Sequence, residues 1–536
     1  MISCKHITKI VCALMTAAVA FCFWITAYSQ EAVETLGGVS VPMAYESALF
    51  DADEPIQIDI RMAQEEWEEM LNNATAEEYH SCDVLINDRQ ICNVGVRPKG
   101  NTSLSSIASN PDTDRFSLKL EFDHYVEGQA YLGLDKLILN NNYADATNMK
   151  EAVVYDMYQY LGADASLYNY AEISVNGEYL GVYLALEAVE ESFLLRNYGT
   201  GDGELYKPDS MNMGDDSRYG DFGGEFPQPG KQEFGGEFPQ PGEQDFDGEF
   251  PQPGEGDFDG HPPQPGKGGF GGPSMGGGSG ADLNYTDEEL SSYSDIWDGE
   301  VTSTGKADHR RVVTALRNIS GGTNLEKYLD VDNILKYMAV HVFSVNLDSL
   351  SGNMAHNYYL YEYNGMLNII PWDYNLSFGG MNQGPDSDAS EVVNDAVDTP
   401  FQMTAFFDAL LENEEYRSRY HEYLRELSQE YVLGGRFREV YQRIRGQIDT
   451  LVETDPTALY SYEEYEAGAE MLYRTVMLRA ESVSGQIGGT IPATDEAQRT
   501  DAADLVDASE IDISVMGVMD MGKREEQKSM RAEDRR

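Results

Sequence analysis

Residues 346–380 read NLDSLSGNMAHNYYLYEYNGMLNIIPWDYNLSFGG. Asp348 and Asn353 stand five positions apart on either side of a short polar loop. His356 to Tyr363 has the pattern of a strand, Asn364-Gly365 that of a two-residue turn, and Met366 to Pro371 that of the returning strand. Trp372-Asp373 follows at once, so the hairpin ends in a second acid. The apolar run Leu367 to Ile370 predicts a buried strand that aims Asp373 out of its end, where sites tend to sit. Phosphotransferases use such a layout: one Asp accepts the hydroxyl proton, while an Asn and a second Asp hold the metal on the phosphates. The pattern is short, and two other readings stay open. Asp348 and Asn353 also suit turn formers with Asp373 as a loop cap, and the same acids suit a metal-assisted hydrolase.

A second polar turn lies at Val94-Gly95-Val96-Arg97-Pro98-Lys99-Gly100-Asn101-Thr102-Ser103. Two glycines, two cations and two hydroxyls make either a phosphate cradle or a plain basic turn. Arg115 to Phe122 alternates strictly, which puts Phe116, Leu118, Leu120 and Phe122 on one strand face and Lys119 on the other. Thr147 to Leu161 carries a helical apolar stripe and is stopped by Gly162. A hairpin turns at Asn176-Gly177. Helical patterns recur at 307–316, 324–343, 401–432, 436–453 and 461–484.

The chain has 536 residues, with 37 basic against 93 acidic side chains and a net charge of −56. Such a balance argues against nucleic acid and anionic membrane surfaces as partners, and suits a soluble extracellular protein. Residues 1–35 have a leader's pattern: Lys5 and Lys9, an apolar run from Ile10 to Ala27, then Ala27-Tyr28-Ser29 as a cleavage site. Export with cleavage is expected, with an uncleaved N-terminal anchor as the alternative and the only membrane link. Beyond the leader only Cys82 and Cys92 remain, flanking an apparent hairpin, and a disulfide between them is the expectation. Four twelve-residue repeats rich in Gly, Pro, Phe and acids begin at Asp221, Glu233, Asp245 and Asp257. They cannot bury enough apolar area to offset their ordering entropy.

LDSLSGNMAHNYYLY with PWDYNLSFGG resembles the signature of the CotH kinase family of spore-coat and secreted atypical kinases. VGVRPKGNTS, FSLKLEFD, LDKLILNNN, VNGEYLGVYLALEAVE and GELYKPD resemble further blocks of that family in the same order, over roughly 55–485. The resemblance implies an α+β, two-lobed, atypical protein-kinase-like fold, interrupted by the disordered repeat insert. It divides the chain into the 1–35 leader or anchor, a 36–54 lead-in, a sheet-rich nucleotide lobe over 55–208, the insert over 209–282, a helical catalytic lobe over 283–488, and a charged disordered tail over 489–536.

The implied activity is transfer of phosphate from ATP, with Mg or Mn, to Ser or Thr of a protein at the cell surface or in an extracellular assembly. Asp348 is then the catalytic base or orienter, and Asn353 and Asp373 the metal ligands. Lys119 contacts the α/β-phosphates with Glu151 as its helix partner, and Arg97 and Lys99 belong to the cradle. The hinge falls near Leu186–Ala188, and Lys207 either reaches the nucleotide or is structural. One departure stands out: family members commonly carry W-D-x-D, and here the second acid is Asn375. That gives weight to a weak or inactive kinase, and to the competing class of a non-catalytic surface scaffold that binds partners through the acidic insert.

Overall fold

Period-two alternation places one face of each N-terminal strand inside a closed barrel. The computed structural model describes residues 40–50, 53–209, 279–352, 354–381, 389–517 and 519. The leader, the twelve-residue repeats, Asn353 and residues 520–536 lie outside them. The barrel comprises β1 (Ile56–Arg61), β2 (His80–Ile86), β3 (Arg89–Lys99), β4 (Ser117–Glu121), β5 (Lys136–Asn140), β6 (Tyr168–Val175) and β7 (Glu178–Glu187). Its order is β1-β2-β3-β4-β5-β7-β6, closed by the parallel pairing of β1 with β6. Val94, Val96, Leu118, Leu120, Leu137, Leu139 and Ala185 fill it. Closure leaves no strand edge unpaired within the barrel. The turn between β6 and β7 has Asn176 at φ 52° and Gly177 at φ 82°, as an Asn-Gly hairpin requires.

Two helices flank the barrel early: α1 (Gln64–Asn72), and α2 (Thr102–Ala108) just after β3. Helix α3 (Lys150–Leu161) lies between β5 and β6 and is buried over almost its whole length. A second sheet holds β8 (Glu204–Tyr206), β9 (Tyr358–Tyr363) and β10 (Met366–Pro371) in the order β10-β9-β8. The strand at 204–206, grouped by sequence with the nucleotide lobe, thus hydrogen-bonds to the hairpin that carries Asp373. Around this sheet stand α4 (Lys306–Ser320), α5 (Val331–Ser344), α6 (Glu414–Arg425), α7 (Arg436–Thr454) and α8 (Tyr462–Ile487). They share one apolar core with α3. Asp330 caps α5 by accepting from Asn333 N. The architecture is α+β. Among the described residues no helix is long and apolar enough to cross a membrane.

Three expectations need correction. Cys82 points into the barrel while Cys92 is exposed, and both are free thiols. Val84 lies opposite Ile91 and Cys82 opposite Val94, with a register shift between, so Cys92 is not the cross-strand partner of Cys82 and takes the exposed face. The insert also ends before 282, since Ala281 and Leu283 are buried and Ala281 O accepts from Tyr358 Oη at 2.6 Å. Finally, the expected tail is packed as far as 517. Ile511, Ile513 and Met516 are buried in the helical core, and Met516 O accepts from Ala146 N at 3.1 Å.

Two outcomes follow from these corrections. Burial pushes the Cys82 thiol up to about 12, so alkylation of the native chain from residue 36 should label Cys92 alone, with Cys82 labelled only after denaturation. Peptide mass mapping checks this, and a disulfide-linked peptide would contradict it. Truncation after Glu510 should cost several kcal/mol, since full burial of each such apolar side chain is worth about 1.5–3 kcal/mol. Urea unfolding of the truncated chain measures the loss.

Candidate functional site

The outer face of the barrel is polar where β3, β4 and β5 meet. Directly opposed residues share a face, so Lys99 stands with Ser117, and Arg97 with Lys119. This face forms one wall of a cavity of about 330 Å³. Glu151 comes from the first turn of α3, and Lys207 follows β8. The opposite wall holds Asp348, His356, Trp372 and Asp373. Five of the seven predicted site residues therefore line one cavity: Arg97, Lys99, Glu151, Asp348 and Asp373. Asn353 lies outside the described residues.

Lys119 is the exception. Its Nζ bonds Glu190 Oε1 at 2.7 Å, and Lys136 pairs with the other oxygen of the same carboxylate. Glu151 instead accepts from Asn140 Nδ2 at 2.8 Å, and Asn140 Oδ1 accepts from Lys99 Nζ at 3.1 Å. The barrel lysine linked to Glu151 is thus Lys99, not Lys119. Register is the reason: Lys119 opposes Arg97, two residues back along β3 from Lys99, and meets the turn after β7. Arg97 is at the cavity edge, salt-bridged to Glu77 and over the Tyr79 ring at 5.3 Å.

The electrostatics follow from burying several charges together. Burial, then the charge of Asp373, raises the pKa of Glu151 despite Asn140 and Lys99. Burial also raises that of Asp373, against the pull of Lys99 and with Asp348 adding to it. Lys99 moves the other way, lowered by burial more than the two acids restore. Lys207 is brought down to about 8, first by burial and then by Lys99. Its ammonium lies 5.8 Å from the Trp372 ring centre, and that of Lys99 lies 5.6 Å from the same centre.

The loop before β9 is held from beneath. Asn346 Nδ2 donates to Asp373 O at 3.1 Å, which ties the start of that loop to the end of the hairpin. Buried His341 on α5 reaches Ser351 Oγ at 2.8 Å and Tyr374 Oη at 3.0 Å. Burial pushes its imidazole down to about 3, so it stays neutral. Val345 (φ 48°) and Asp373 (φ 59°) both occupy the left-handed region, a cost that recurs at functional sites. Asp348 is met by His356, Nε2 to Oδ1 at 3.0 Å. Burial pulls the His356 pKa down, but the hydrogen bond and charge of Asp348 outweigh it and the net is a rise. His356, Asn140 and Trp372 were missed as site residues. His356 and Trp372 sit in the stretch first quoted, but only the folded loop shows what they face.

No group of three or more His, Cys, Asp and Glu side chains is arranged to hold a metal among the described residues. The donor set still fits a polyphosphate with a divalent cation. Asp373 offers the hard oxygen such ions prefer, Lys99 and Lys207 offer charge to phosphates, and phosphate oxygens normally complete the cation's shell.

A family model described as CotH kinase protein matches residues 96–483. The chain belongs to this family. It is also 23% identical over 364 residues to the inner spore coat protein H of Bacillus subtilis (strain 168), an alignment covering 67% of this chain and 80% of that protein.

The depressed Lys207 gives a pH signature. Below about 8 the free chain carries the ammonium, and above it the amine is neutral. Bound phosphate favours the charged form, so affinity for a nucleoside triphosphate should fall as pH rises through about 8. Calorimetric titration across pH 7–9.5 (roughly the span from His to Lys reference values) checks this, and Lys207→Gln should flatten the profile.

Proposed function

We propose that the chain is an exported protein kinase that transfers phosphate from ATP to Ser or Thr of a protein, with Mg or Mn. The observation that carries the reading is convergence. A lysine from the barrel, a glutamate from α3, an acid from the loop before β9 and an acid after β10 line one cavity, although they lie far apart in sequence. The family match supports it, and the relative's place in a spore coat supports export to a surface assembly. ATP supplies the transferable phosphoryl group, and the divalent cation offsets its charge. Asp373 holds the cation, with Asn353, outside the described residues, as the second ligand that the resemblance implies, and Asn375 lines the cavity with Asp373. Lys99, kept in place by Asn140 and Glu151, takes the lysine role that the resemblance assigned to Lys119. Lys207 adds a second cation to the phosphates. Asp348 orients the substrate hydroxyl and takes its proton as that oxygen bonds the γ-phosphorus of ATP and the bond from this phosphorus to the β-phosphate oxygen breaks, releasing ADP.

This division of roles is testable by isotope transfer and nucleotide binding with residues 36–536. Asp373→Ala should abolish Mg- or Mn-dependent ATP binding. Asp348→Ala should leave binding within about twofold while lowering kcat by about 10²–10⁴-fold, as loss of a proton-transfer group does. Unchanged transfer by Asp348→Ala, or unchanged metal dependence in Asp373→Ala, would overturn the assignment.

A further inference from the structure

The carboxylate of Asp348 is engaged on both oxygens. Oδ1 meets His356 Nε2 at 3.0 Å, and Oδ2 accepts from Asn357 Nδ2 at 3.1 Å. The same Asn357 amide donates to Asp348 O at 2.9 Å. These two donors are consecutive, and the backbone bends unusually to present them: Ala355 has φ 43° and Asn357 φ 57°. Ala355 gains nothing local from the left-handed region, so the bend is a cost borne by the loop. The other ring nitrogen, His356 Nδ1, is buried and has no hydrogen-bond partner among the described residues. Leaving a buried polar atom unmade costs about 1–3 kcal/mol. A histidine kept at such cost, with Nε2 aimed at Asp348, is placed for that contact.

We propose that His356 is the positioning residue of Asp348. It donates from Nε2 to Oδ1 and, with Asn357, fixes the carboxylate in one orientation toward the phosphoryl acceptor. The two donors leave each oxygen a further lone pair, and the orientation they fix turns one toward the hydroxyl, while Asp373 serves the cation. The catalytic part of this inference rests on the kinase reading, whereas the pairing itself does not.

The test uses the full chain and three substitutions. His356→Gln presents an amide nitrogen near the place of Nε2, whereas His356→Asn is too short and His356→Ala has no donor. With melting temperatures matched, Ala and Asn should lower kcat by about 10- to 100-fold, the usual effect of losing a residue that orients another. KM for ATP and the Mg dependence should stay unchanged, and Gln should recover most of the rate. Equal rates for Gln and Ala, or a rise in KM at constant kcat, would overturn the proposal. A second readout needs no activity. In ¹⁵N-histidine spectra, with the His356 signals assigned by their loss in the Gln variant, Nε2 should be protonated and should shift in Asp348→Asn. If wild type transfers no phosphate but this signature holds, the kinase reading fails while the pairing stands. If Nε2 carries no proton, the pairing fails whatever the activity.

Discussion

Everything around the cavity depends on how Lys99, Glu151 and Asp373 share one wall-to-wall space. Two carboxylates and one ammonium cannot be buried cheaply, and an unpaired member would cost several kcal/mol. Asn140 makes the arrangement workable. Its amide donates to Glu151 and its carbonyl accepts from Lys99, so one neutral side chain satisfies an anion and a cation. Because Asn140 ends β5 and Glu151 opens α3, the link fixes the barrel wall against the helix. Asp373 completes the set from a different sheet, and the carbonyl of that same residue is held by Asn346. A polar network of this kind specifies one geometry, since any slip leaves a buried group without its partner.

A second tie joins the barrel to the helical core just before the start of β4. Arg115 is buried and salt-bridged to Asp455 at 2.6 Å, and it bonds Thr457 Oγ1 at 2.8 Å. Asp455 Oδ2 also accepts from Val182 N at 3.0 Å, so the pair grips β7 as well. The guanidinium stands over the Tyr183 ring at 4.6 Å. The packed segment before 517 acts near the cavity itself, because Gly517 O accepts from buried Lys150 Nζ at 3.1 Å, one residue before Glu151. The cavity is thus set by ties from both sides of the chain's sequence.

The sequence made much of this legible where a side chain's role follows from local pattern. The Asn364-Gly365 turn, the alternation of β4 and the apolar run of β10 each reflect a period or a φ requirement, and each stands where pattern places it. What stayed hidden depends on register between strands distant in sequence. Lys99 and Lys119 are both cations on the same outer face, and only the β3–β4 pairing decides which of them meets Glu151. The pairing of Val84 with Ile91 likewise decides that Cys82 and Cys92 take opposite faces of the β2–β3 hairpin, one buried and one exposed. His356 was hidden for another reason: it begins a strand pattern, and a loop with two left-handed residues turns it back toward Asp348.

Asn375, the departure from two acids after the tryptophan, has a structural account. Its Nδ2 donates to Tyr143 O at 2.8 Å, and Asn375 lines the cavity from the same short segment as Asp373. An ionised aspartate there would set its negative charge against that carbonyl and leave the carbonyl without this donor. The amide thus supplies a hydrogen bond that the acid cannot, and its own carbonyl remains a hard oxygen of the kind divalent cations accept. The substitution removes one formal charge from the wall without removing an oxygen donor. Loss of charge at that place weakens attraction for a cation, and leaves Glu151, Asp348 and Asp373 as the acids that face the half-buried Lys99 and Lys207.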